Sequence, residues 1–145
     1  VKTLHPKIHA GILNKRNKKS HIKDLKNNNF QNIDLVIVNF YPFEKTLEKS
    51  TNHEKIIENI DIGGPAMVRA AAKNYKDVTI VTNISQYDNL IDHLNKFNCS
   101  TTLSLREKLS SEAFAITGSY DATISNYFNK IFHICYWCIF YYTMT

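Results

Sequence analysis

The string Asp61-Ile62-Gly63-Gly64-Pro65 sets a carboxylate just ahead of a Gly-Gly pair, and an alanine run, Ala70-Ala71-Ala72, follows. Pro65 suits a first helical turn, because its missing N–H has no intrahelical partner there. A helix that opens on two glycines leaves bare backbone N–H groups pointing outward, where they and the helix dipole favour an anion. The spacing predicts a helix from Gly64 to about Asn74 whose head, with Gly63 and Gly64, could hold a phosphate or a developing oxyanion. Asp61 adds a group able to orient or deprotonate a neighbour. The plainer reading of the same residues is an ordinary loop-to-helix junction.

Elements on either side must position that turn. Ile33 to Asn39 is a continuous apolar run rich in β-branched residues, which predicts a strand buried on both faces, as in parallel sheets. Val78-Thr79-Ile80-Val81 predicts a second such strand. Helices are expected over His5 to Lys15, Thr51 to Asn59, Asn83 to about Phe97, and Thr101 to about Phe128, the last with a possible break at Gly118. Strand and helix alternating at these spacings mean an α/β fold with a parallel sheet. Ligands in such sheets sit outside the carboxyl ends of the strands, and Asn39 to Phe43 and Thr82-Asn83 lie at those ends.

Composition narrows the classes. The chain has 145 residues, 43% hydrophobic and 21% charged, as ordinary globular domains do. Its net charge of +5 suits an anionic partner such as a small phosphorylated metabolite. The basic stretch Asn14 to Asn29 lacks interleaved aromatics, so a solvated helix face is the reading, with no nucleic-acid partner. No run reaches the ~18 apolar residues of a membrane span. Three cysteines, an odd number, fit a reducing compartment better than a disulfide framework. His5 and His9 stand four apart but lack a third ligand, so structural histidines are expected and no metal. Residues 131–145 differ from everything before them and hold the only tryptophan, together with Cys135 and Cys138. They are expected to be an anomalous apolar tail rather than a redox pair.

Four separated strings resemble one family. Val1-Lys2-Thr3-Leu4-His5-Pro6-Lys7-Ile8-His9-Ala10-Gly11-Ile12-Leu13, Asp34 to Phe43, and Glu58 to Asn74 are similar to the IMP cyclohydrolase domain of the bifunctional purine biosynthesis proteins. Arg106, Ala113-Phe114 and Tyr120-Asp121 match its closing helices. The resemblance covers residues 1–130 and implies a methylglyoxal-synthase-like doubly wound α/β sandwich, a parallel sheet with helices on both faces. It also implies a partial domain, truncated at the N-terminus, without the loops that bind the ribotide phosphate and therefore inactive as it stands.

The implied reaction closes 5-formamidoimidazole-4-carboxamide ribotide to inosine monophosphate with loss of water. By resemblance, the catalytic positions fall on Lys2, Tyr41, Asp61 and Lys73, while Thr3, Asn39, Ile62, Gly63 and Gly64 line the ribotide pocket. No cofactor is implied for this step; 10-formyltetrahydrofolate belongs to the family's separate formyltransferase domain. A homodimer in the cytosol is implied for the full-length protein. Two other classes fit the same residues: a regulatory module that only binds a nucleotide or phosphate, and an inactive gene fragment.

Overall fold

In a computed structural model of the chain, which describes residues 3–40 and 43–133, helices alternate with two parallel strands. Helix α1 (Pro6–Leu13) starts on Pro6 and is capped by His5, whose Nδ1 accepts the Lys7 N–H at 3.1 Å. Helix α2 (Lys19–Asn27) buries only Leu25 and leaves its lysines in water, as the basic composition predicts. Strand β1 (Leu35–Ile37) follows, then α3 (Phe43–Lys49) and α4 (His53–Glu58), the latter capped by Asn52, which accepts from Lys55 N–H. Helix α5 (Gly63–Lys73) leads into β2 (Thr79–Val81). A 3₁₀ turn with an Asn83–Gln86 capping box opens α6 (Tyr87–Lys96), and α7 (Leu103–Phe132) closes the described chain.

The described residues form two compact units, one from 3–40 and 61–117, the other from 43–60 and 118–133. In the first, β1 pairs with β2 in parallel, with Leu35 opposite Thr79 and Ile37 opposite Val81. Its core joins Val36, Ile80 and Val81 to Ile12 of α1, Val68, Ala71 and Ala72 of α5, Leu90 of α6, and Leu105, Leu109 and Ala113 of α7. Ala70, Ala71 and Ala72 of α5 matter here, since a small side chain lets the helix backbone lie close to its neighbours. The second unit is built on Phe43, Ile56 and Tyr120, with the Phe43 ring edge-on to Tyr120 at 6.1 Å and to Tyr127 at 6.2 Å.

Two expectations from sequence are corrected. Strand β2 is buried throughout, but β1 shows an exposed-buried-exposed pattern, with Leu35 37% and Ile37 46% accessible. A run of branched residues signals a strand, yet only neighbouring elements decide whether both faces are covered. The second correction concerns Gly118, where α7 runs through unbroken. A single glycine weakens a helix without ending it. Apart from the adjoining backbone of α7 itself, no atom lies within 4 Å of where a Cβ would stand on Gly118, so Gly118→Ala should stabilise the protein by about 0.5–1 kcal/mol. Thermal unfolding checks it; a lower midpoint would refute the open-space argument.

Asn74 locks the far end of α5. It is buried, and its side-chain amide donates to the carbonyls of Ile12 at 2.8 Å and Asn14 at 3.0 Å, tying the end of α5 to the end of α1. Removing it leaves buried carbonyls without that donor. Asn74→Ala is therefore expected to cost about 2–3 kcal/mol, read from the denaturation midpoint; a loss under half a kcal/mol, roughly the surface-substitution level, would contradict this.

Candidate functional site

Helix α5 fixes the geometry of the site. The chain reverses at its end through Asn74, whose carbonyl accepts from Asp77 and Val78 N–H, and passes directly into β2. The end of α5 thus lies by the start of β2, and its head lies toward the strands' carboxyl ends. Asn39 follows β1 at that same edge, where Val38 N–H still bonds Val81 carbonyl at 2.9 Å, and Thr82-Asn83 follow β2. Open α/β sheets receive their ligands at this edge.

At the head of α5, Asp61 turns its carboxylate onto the helix it precedes. Its Oδ1 accepts the Gly64 N–H at 3.0 Å, satisfying one donor of the first turn, and sits in the favourable field of the helix N-terminus. The carboxylate packs so closely that a methyl on Gly64 would overlap Oδ2 and stand 3.0 Å from Cγ. Gly64 is a glycine because of that approach. The bond also refines the sequence reading: the Gly64 N–H is already committed to Asp61. Gly63 and Gly64 are buried, whereas Ile62 is 62% exposed and free to lie against a ligand.

Asn39 is exposed, and its Nδ2 donates to the Tyr87 hydroxyl at 2.9 Å. Tyr87 opens α6 and packs on the core, so its hydroxyl is held in place. Thr3 is half-buried and uses its hydroxyl to accept the His5 N–H at 3.1 Å. Lys73 lies elsewhere. It is exposed in the last turn of α5, an unbroken helix that carries it ~15 Å from Gly63 along the axis. The structure therefore brings Asp61, Ile62, Gly63, Gly64 and Asn39 to one edge of the sheet and sends Lys73 to the other. Lys2 and Tyr41 lie outside the described residues, as do Cys135 and Cys138.

Sequence reasoning missed Tyr87. Its signal was available: it stands four residues past Asn83, at the start of the helix that leaves a strand's carboxyl end. Beside it, Gln86 Oε1 accepts the Thr82 and Asn83 N–H groups, and its Nε2 donates to Glu112 at 2.6 Å. Asn83, Gln86 and Glu112 line an open cleft of about 600 Å³ with Asn89 and Lys108. Among the described residues no three His, Cys, Asp or Glu side chains gather as metal ligands, and no helix is long and apolar enough to cross a membrane.

The parallel pair and its glycine-headed helix make an α/β unit, and the family match makes that unit a methylglyoxal-synthase-like domain. Residues 1–66 match the family model described as an MGS-like domain, and residues 71–138 match that of the AICARFT/IMPCHase bienzyme. A crystal structure of ForH superposes with a TM-score of 0.71 at 30% identity, over 88% of this chain and 66% of that one. The chain is 55% identical over 128 residues to the bifunctional purine biosynthesis protein PurH of Clostridioides difficile, covering 88% of this chain and 25% of that protein. It is 51% identical over 130 residues to the PurH of Bradyrhizobium diazoefficiens, covering 90% of this chain and 24% of that protein. The chain belongs to the family of bifunctional purine biosynthesis proteins and spans about a quarter of the length of these curated relatives.

Proposed function

We propose that this chain carries the cyclising site of an IMP cyclohydrolase, which converts 5-formamidoimidazole-4-carboxamide ribotide to inosine monophosphate in the last step of purine synthesis. The observation that carries the reading is the Asp61 carboxylate held by the Gly64 N–H at the head of α5. In the reaction the carboxamide nitrogen attacks the formyl carbon, a C–N bond forms, and the formyl oxygen departs as water after taking two protons. Asp61 orients the carboxamide and accepts a proton from the attacking nitrogen. A backbone N–H near Gly63 and a lysine meet the oxygen as it gains charge. Tyr41 gives a proton or positions the base, and Lys2 and Thr3 serve the phosphate or the oxyanion. Asn39 and Ile62 contact the ribotide.

Lys73 sits too far along α5 to join Asp61 from within one chain. A homodimer in which a second subunit brings its own Lys73 to this edge resolves the distance. The step draws on no cofactor; 10-formyltetrahydrofolate would serve only the formyltransferase half of the full-length protein, which we place in the cytosol.

A chimaera tests the reading. Residues 1–130 replace the matching segment of the Clostridioides difficile relative, and the formylated ribotide is followed by the ultraviolet absorbance of inosine monophosphate. Turnover near the parent's rate is the expected result. A folded chimaera that binds inosine monophosphate without turnover would instead favour a nucleotide-sensing module.

A further inference from the structure

The Asn39–Tyr87 bond joins the carboxyl end of β1 to the start of α6. A primary carboxamide is ambivalent, with an acceptor on one side and two donors on the other, and can present either to a ligand. Asn39 Nδ2 donates to the Tyr87 hydroxyl at 2.9 Å, and among the described residues Oδ1 has no partner. The Asn39 amide is exposed, so water alone would leave it free to turn over. Tyr87 limits that freedom: its ring is packed against the buried cluster of Val36, Ile80 and Leu90, and its hydroxyl, while accepting from Nδ2, holds one edge of the amide. A partner that is already fixed costs little further ordering when the bond forms.

We propose that Tyr87 is a positioning residue of this site: it takes one N–H of the Asn39 amide and so presents Oδ1 to an N–H group of the ligand. The inference rests on the cyclohydrolase reading for the nature of that ligand, a ribotide whose base offers amide or ring N–H groups. It makes the edge of the sheet selective for a ligand that donates at this position. An analogue bearing a carbonyl or ether oxygen there would face an acceptor with no proton between them, and would bind more weakly for want of that hydrogen bond.

The first test uses the isotope-labelled full chain. The side-chain NH₂ resonances of Asn39 are assigned by their loss in Asn39→Asp. Tyr87→Phe, which keeps the ring and removes the hydroxyl, should shift that pair while the backbone amides of Val68 and Ile80 stay in place. An unmoved pair overturns the proposal. The second test uses the chimaera described above. There Tyr87→Phe should raise KM about five- to tenfold with little change in kcat, and should add little to the loss caused by Asn39→Ala. Additive losses, or a fall in kcat alone, overturn it as well. A chimaera inactive with Asn39 and Tyr87 intact sinks the cyclohydrolase reading and the ligand half of this proposal with it. The resonance comparison still decides whether Tyr87 holds the amide.

Discussion

Asp61→Asn in the chimaera should lower turnover by about a hundred- to ten-thousand-fold, with only a small change in stability. The two effects separate because of what the substitution keeps. Asparagine has the same shape, and its Oδ1 can still accept the Gly64 N–H that Asp61 holds at 3.0 Å. The start of α5 should therefore survive, less the interaction of a full negative charge with the helix head, about 0.3–1 kcal/mol. The losses fall on the chemistry instead, since an amide oxygen neither takes a proton from the attacking nitrogen nor balances the charge that develops there. Steady-state kinetics and thermal unfolding read the two quantities independently. A turnover within about tenfold of the parent would remove Asp61 from proton transfer, because general-base groups rarely contribute so little. A collapse in stability would mean that the carboxylate matters mainly to the fold.

The contrast between α5 and β1 shows what residue types can and cannot announce. Pro65 and the alanine run declare a helix through local geometry and propensity alone, and α5 ends one residue before Asn74, as the pattern requires. The strands were also legible, since Val36, Ile80 and Val81 sit in one core. What β1 could not announce was the exposure of Leu35 and Ile37, because coverage of a sheet face is set by elements distant in sequence. The second unit was hidden for the same reason. Phe43 gives no hint in its own neighbourhood that it will pack on Tyr120 and Tyr127, more than seventy residues on. At the site, the Asp61 turn reads directly because its parts are contiguous. Tyr87 does not, because its meaning comes from Asn39 on the neighbouring strand end. Lys73 is the instructive case: resemblance groups it with Asp61, a straight helix from Gly64 to Asn74 would already set the two apart, and the unbroken α5 bears that separation out.

Gly64→Ala should abolish most of the activity while leaving the fold nearly as stable, and the reason is a competition between helix and site. Alanine is the better residue in a helix interior by up to about 1 kcal/mol, which favours the variant, although less so at this second position ahead of Pro65. Against that, its methyl would overlap Asp61 Oδ2 and approach Cγ to 3.0 Å, so the carboxylate must swing away. That motion breaks the 3.0 Å bond from the Gly64 N–H, at a cost of about 0.5–1.5 kcal/mol for a hydrogen bond. The two terms nearly cancel, and the unfolding midpoint should move by only a few degrees, about what 1 kcal/mol produces in a chain of this size. Catalysis has no such compensation: a reacting group displaced by ~1 Å can cost about a hundredfold. Because both substitutions act through one carboxylate, Gly64→Ala combined with Asp61→Asn should be little worse than Asp61→Asn alone. Independent, multiplying losses would show that Gly64 serves the substrate directly, and the close packing of Asp61 on its α-carbon would then need another explanation.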